Sequence, residues 1–246
     1  MRWPGRATAL IGILGLLQAI AGCNRVPDAP ESANPVYFPL NAHWVWQYQV
    51  TSEISGGRQK EKYWVRNQGP IEWVDGASAM VRRDSRGNQY LLRGDRAGIV
   101  RLASRDELAT KWRPDPNQPR RFVLRHPVEA GTYWQVESVS YFVRANADMP
   151  REPPGGKRLL MGFEIVDTNA SVQVPAGQFN QCLLVVGKAS FRVYADGLKG
   201  YRDVPVMQRE WYCPQIGMVR LERTEQVSTP QYRGGATTFE LLSVRR

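Results

Sequence analysis

The run His43-Trp44-Val45-Trp46-Gln47-Tyr48-Gln49-Val50 constrains this chain more than any other stretch. In an extended backbone, successive side chains point to opposite faces. Trp44, Trp46, Tyr48 and Val50 therefore share one face while Gln47 and Gln49 share the other, which reads as a strand with one wet side. Ser55-Gly56-Gly57 supplies a turn, and Lys62-Tyr63-Trp64-Val65-Arg66 reads as the return arm of a hairpin.

The same pattern continues along the chain. Short strands are expected at Ala77–Arg83, Gln89–Arg93 and Gly98–Ala103, with turns at Ser85–Asn88 and Gly94–Arg96. Residues 104–120 break the rhythm: Ser104–Leu108 could open a short helix, which Pro114, Pro116 and Pro119 hold to two turns at most. A second series starts near Arg121 and runs through Val136–Arg144 to a proline- and glycine-rich loop at 146–157. Its opening, Pro127–Gln135, weakly echoes Pro39–Gln47 at Pro, Ala, Trp and Gln. A third series is expected at Leu159–Asp167, Ser171–Val174, Phe179, Cys182–Val186, Phe191–Tyr194, Val204–Tyr212, Met218–Arg223 and Thr238–Val244, with a turn at Val174-Pro175-Ala176-Gly177. The expected fold is mainly β. It is an antiparallel meander of about a dozen strands forming a strongly curved sheet or partly open barrel, with little helix, over a single domain 36–246.

The first residues follow a different rule. Arg2 and Arg6 precede an apolar run from Ala7 to Ile20 that ends in small residues. A positive start, an apolar core of roughly 7 to 15 residues and a small-residue cleavage site define a secretory signal. The run is shorter than the ~20 residues a spanning helix needs. Ile20-Ala21-Gly22-Cys23 resembles the bacterial lipobox. The resemblance implies removal of residues 1–22, a diacylglyceryl thioether on Cys23 and an acyl chain on its freed amine, and Asn24 in place of aspartate implies outer-membrane sorting. Residues 23–35 would then be the lipidated cysteine and a polar tether carrying Pro27, Pro30 and Pro35.

Three further patterns resemble a group of uncharacterised bacterial lipoproteins with a YYPL…W.Y opening, a V.VPAG.F turn and a YAPGVGLV hairpin. Here they read Tyr37-Phe38-Pro39-Leu40 with Trp44–Tyr48, Val172–Phe179, and Trp211–Val219. His43 stands near a glycine of that pattern, and Cys213 and Gln215 replace a small residue and a glycine. The resemblance implies architecture and a cell-envelope location, and it carries no catalytic residues.

Composition narrows the function classes. Loss of Arg2 and Arg6 lowers the formal charge of +10 by two, so the mature chain stays basic. Its arginines are scattered through the strands without forming a run, the pattern of a solvated surface, with attraction to acidic lipids or polymers as the alternative. No recognition helix, zinc-finger spacing or RNA-binding motif points to nucleic acid. With Cys23 assigned to lipid, Cys182 and Cys213 either form a disulfide in an oxidising compartment or pack as two buried thiols. The two histidines, His43 and His126, lack metal-ligand spacing, and neither a nucleophile elbow nor a phosphate loop is present.

No catalytic residue, metal or cofactor is therefore expected. The chain reads as an interaction or scaffold domain anchored to membrane lipid through acylated Cys23, with an envelope protein as partner. Seven tryptophans in the mature domain support an alternative, a carrier of a lipid-like apolar ligand. A third reading, an envelope hydrolase, would require two carboxylates to meet in the fold.

Overall fold

In a computed structural model, the structure describes residues 36–54, 57–116, 120–142, 144–145, 158–196, 200–228 and 232–246. The signal, Cys23, the tether and the 146–157 loop lie outside the described residues. Among the described residues fourteen strands run in order: β1 Val45–Ile54, β2 Gly57–Glu72, β3 Ser78–Asp84, β4 Gln89–Asp95, β5 Gly98–Arg105, β6 Arg113–Pro114 and β7 Phe122–Arg125. They continue as β8 Tyr133–Val139, β9 Arg144–Ala145, β10 Arg158–Val174, β11 Gly177–Asp196, β12 Gly200–Cys213, β13 Gly217–Ser228 and β14 Tyr232–Arg245. The expected antiparallel meander is present. One sheet follows the path β6-β5-β4-β3-β2-β1-β14-β13-β12-β11-β10-β8, with β7 paired to β5 and β9 to β14.

Its two ends curl towards each other. Among the described residues no ladder joins β7 to β8; instead Arg125 Nη1 donates across the seam to the Tyr133 carbonyl at 2.8 Å. The result is a partly open barrel within the compact unit Pro35–Arg246. The alternation read in β1 holds, since Trp46, Tyr48 and Val50 are buried and Gln47 is exposed.

Alternation also splits the core. Leu92 points into the main apolar cluster, with Leu124, Trp134, Met161, Ile165, Leu183, Val193 and Val204, whereas neighbouring Leu91 packs on the opposite face with Ala79, Val81 and Ala103 beneath Trp73 and Trp112. Trp46, Tyr48 and Val50 join Val172, Val174, Cys182, Cys213, Val219 and Leu241 in a third cluster.

Three expectations need correction. The strand expected at Val136–Arg144 ends at Val139, and Arg144 belongs to the separate two-residue β9. Leu159–Asp167 and Ser171–Val174 are one strand, β10, and Phe179 to Tyr194 lies within one strand, β11. Register shifts between Ile165 and Val172 absorb the apparent breaks, because a bulge bends a strand without ending it. The bent hairpin reaches β14, where Ala176 N donates to the Leu241 carbonyl at 2.9 Å. No helix opens at Ser104: β5 runs to Arg105, and Ala109 N closes a single turn onto the Asp106 carbonyl at 3.2 Å.

Candidate functional site

The three motif stretches, far apart in sequence, meet at one end of the sheet. Trp46 Nε1 donates to the Ile216 carbonyl at 2.7 Å, Tyr48 Oη to the Met218 carbonyl at 2.8 Å, and Gln215 N to the Val36 carbonyl at 2.9 Å. Tyr37 Oη reaches the Gln181 carbonyl at 3.4 Å, one residue before Cys182, and Cys182 and Cys213 are joined by a disulfide.

Beneath this junction, Arg82 lies between the Phe38 and Trp46 rings, with Cζ 4.3 and 4.8 Å from their centroids. It donates to Asn67 Oδ1 at 2.7 Å and to the Pro39 carbonyl at 2.8 Å, and Asn67 Nδ2 donates to the Asn41 carbonyl at 2.8 Å. These bonds tie the entry segment to the sheet. Burial pushes the Arg82 guanidinium down to about 10, so it remains charged at neutral pH.

A second polar centre lies on the inner wall. Gln208, Glu210 and Tyr212 alternate along β12 on the face that also carries Val204 and Val206, while Arg223 and Glu225 alternate along β13. Register places Arg223 directly opposite Gln208 and Glu225 opposite Val206. Arg223 is 1% exposed and Glu225 0%.

Every arm of the guanidinium is engaged. Nε and Nη2 donate to Glu225 Oε1 at 3.0 and 2.8 Å, Nη2 also to the Val139 carbonyl at 2.7 Å, and Nη1 to Gln208 Oε1 at 3.1 Å and Ser138 Oγ at 3.3 Å. The Tyr141 ring covers it, with Cζ 3.8 Å from the centroid. Glu225 accepts in turn from the backbone N–H groups of Tyr141 and Phe142 at 2.8 and 2.9 Å.

The chain of bonds extends through Gln208, whose Nε2 donates to Glu210 Oε1, to Tyr212, whose Oη donates to Glu210 Oε2 at 2.5 Å. Burial raises the Glu210 carboxyl above its ordinary value, against the downward pull of Tyr212, Gln208 and Arg223. It also pushes the Tyr212 phenol well up, and Glu210 adds to the rise. The arrangement staples the end of β8 and the residues that follow it, 138–142, to β12 and β13. Its donors and acceptors bond one another, so charge is held in the wall by extensive hydrogen bonding.

Glu225 also belongs to the lining of a surface cleft of about 490 Å³, with Glu53, Thr224, Gln226 and Val227 and the glycines 234 and 235. The glycines are required there. A β-carbon on Gly234 would lie 2.0 Å from the Glu225 carbonyl oxygen, and one on Gly235 2.8 Å from the Phe142 ring.

Cys23 lies outside the described residues, and the structure brings Cys182 and Cys213 together. His43 and His126 are both exposed and stand apart from the inner-wall network. Among the described residues no group of three or more His, Cys, Asp or Glu is placed to hold a metal ion, and no helix is long and apolar enough to cross a membrane.

Strand periodicity by itself singles out none of Arg223, Glu225 and the β12 triplet. The available signal was Val204-x-Val206 continuing in step as Gln208-x-Glu210, polar residues at positions the alternation reserves for the core.

No family model and no curated protein matches the chain. Two solved structures resemble it remotely. One, from Parabacteroides distasonis and provisionally assigned as a lipoprotein, is 12% identical with a TM-score of 0.38, covering 86% of this chain and 99% of its own. The other, from Bacteroides fragilis and provisionally assigned as an exported protein with a YmcC-like fold, is 15% identical with a TM-score of 0.38, covering 87% and 100%.

Proposed function

We propose that this chain is a lipid-anchored β domain of the bacterial cell envelope that works by binding, without catalysis, as an interaction or scaffold module. The observation that carries the anchor is Ile20-Ala21-Gly22-Cys23 at the end of a charged-then-apolar leader. Three acyl chains would hold it almost permanently, because each buried methylene contributes about 0.8 kcal/mol and a single chain binds only marginally.

The binding reading is supported by the inner wall. The buried ionisable groups of the inner wall, Arg223, Glu225 and Glu210, are hydrogen-bonded to one another, to Gln208 and Tyr212 and to the 138–142 backbone. Aromatic residues of the kind that line a carrier cavity serve here as packing: Trp134 stacks on Phe163 with centroids 5.8 Å apart, and Trp46 and Tyr48 sit in the cluster around the disulfide.

Fractionation tests the anchor. The wild-type chain is expected in the membrane pellet after a carbonate wash and the Cys23→Ser variant in the soluble fraction; a variant that stays in the pellet contradicts it. In-cell cross-linking tests the scaffold role, with a defined envelope protein as the expected product. A lipid-sized adduct in native mass spectra, with no protein cross-link, would favour the carrier instead.

A further inference from the structure

Arginines that look scattered in sequence form a line across the sheet. Arg105 pairs with Gln89, Gln89 with Arg83, Arg83 with Arg66, Arg66 with Val45 and Val45 with Arg245, each directly across a ladder. Directly paired residues share a face, so four arginines stand in one transverse row over β5, β4, β3, β2, β1 and β14. The row lies on the face opposite Trp46, Tyr48 and Val50, on the outside of the barrel.

Like charges placed opposite one another are unfavourable, so Arg66 beside Arg83 is a standing cost in the free molecule. Glu107 lies 3.8 Å from Arg83, but among the described residues no ion pair involves Arg66, Arg245 or neighbouring Arg246, and all three are exposed. Tryptophans hold two of these cations. Arg66 lies over Trp64 at 5.8 Å and Arg246 over Trp44 at 4.9 Å.

The position of this cluster matters as much as its charge. Arg246 Nη2 donates to the Gln215 carbonyl at 3.3 Å, and Gln215 N donates to the carbonyl of Val36, the first described residue. Arg246, and with it the neighbouring Arg245, is thus tied through Gln215 to Val36, the residue that follows residues 24–35. Those twelve residues span at most about 40 Å when fully extended.

We propose that the end of the sheet carrying Arg66 and Arg245 on its outer face, backed by Arg83, with Arg246 at the rim beside Trp44, docks on the anionic headgroups of a lipid surface. This deepens the anchored reading and rests on it for where that surface lies. A cation near an anionic membrane gains about fivefold in binding, so three give roughly a hundredfold, and salt screens the effect over ~8–10 Å.

The test uses the unlipidated mature chain, Cys23→Ser, cosedimented with phosphatidylcholine vesicles with or without phosphatidylglycerol. The expected result is binding to the anionic vesicles alone, lost in high salt and weakened roughly a hundredfold by Arg66→Gln, Arg245→Gln and Arg246→Gln together. The charge-matched control Arg96→Gln, Lys188→Gln and Arg202→Gln replaces exposed cations elsewhere and should bind nearly as the parent does. Thermal melts check that both triples fold.

Equal loss in the two triples, binding to phosphatidylcholine alone, or displacement by inorganic phosphate at matched ionic strength would each overturn the proposal. The first would mean only net charge acts, and the last would mean a discrete phosphate site. None of these readouts involves acylation, so a failed anchor and a failed docking face are told apart.

Discussion

Arg223 contributes by position more than by charge. Removing one member of a buried, hydrogen-bonded ion pair strands the other and costs about 3–5 kcal/mol, while replacing both by apolar groups is often near neutral. Arg223→Met is therefore expected to lower urea stability by about 3 kcal/mol or more, and Arg223→Met with Glu225→Leu by clearly less than the sum of the two single changes. Additive losses would mean that the pair at 2.8 Å is not coupled.

Glu210 makes a prediction of opposite sense to that of a salt-bridged carboxylate. Its folded pKa lies above the ordinary 4.5, because burial outweighs the hydrogen bonds from Tyr212 and Gln208. Folding therefore favours the protonated acid. The stabilisation is complete below the unfolded pKa and is lost as pH rises through the folded one. Stability should fall on that ascent, and Glu210→Gln should remove the fall; an unchanged pH profile would contradict the burial account. Two further residues show what a sequence hides. His43 and Gln215 adopt φ of 67° and 59°, a region that favours glycine, and both stand at or near glycine positions of the resembled lipoprotein pattern.

At the scale of elements, the hairpin β1–β2 and the strands β3, β4 and β5 were legible because each is bounded by Gly, Asp or Asn turns, although β2 runs from Gly57 to Glu72, well beyond the expected Lys62–Arg66. Asp84 illustrates such a turn, its Oδ1 accepting from Arg86 N and Asn88 N at 2.9 Å. The length of β10 and β11 was not legible, since bulges disturb the alternation and imitate strand ends. The inner-wall charges were hidden for a related reason. Periodicity tells which face a residue takes, but not whether an opposing segment such as 138–142 covers it.

The disulfide joins two of these elements, β11 and β12, across a sequence separation of 31. Loop-closure entropy for a loop of that size corresponds to about 3–4 kcal/mol of stabilisation. Cys182→Ala with Cys213→Ala should lower stability by roughly that amount, and a reductant should have the same effect on the parent and none on the variant. Two free thiols in protein taken from the envelope would contradict the bridge. Gly217→Ala should also destabilise, because its φ of 93° disfavours a side chain and a β-carbon there would meet Pro39 at 3.2 Å.

At the scale of the whole molecule, Val36, where the described domain begins, is tied to Gln215 and through it to Arg246. The lipobox expectation rests on consecutive residues, whereas the arginine row is not legible in the sequence, because residues 66, 83, 105 and 245 become neighbours only through strand pairing. The central claim is that Cys23 is the acylated first residue of the mature protein. Mass spectrometry of the tryptic N-terminal peptide from membrane-extracted protein tests it most directly. The account predicts a peptide Cys23-Asn24-Arg25 carrying a diacylglyceryl thioether and an acylated amine; a chain that still begins at Met1, or a Cys23 with a free thiol, would contradict it.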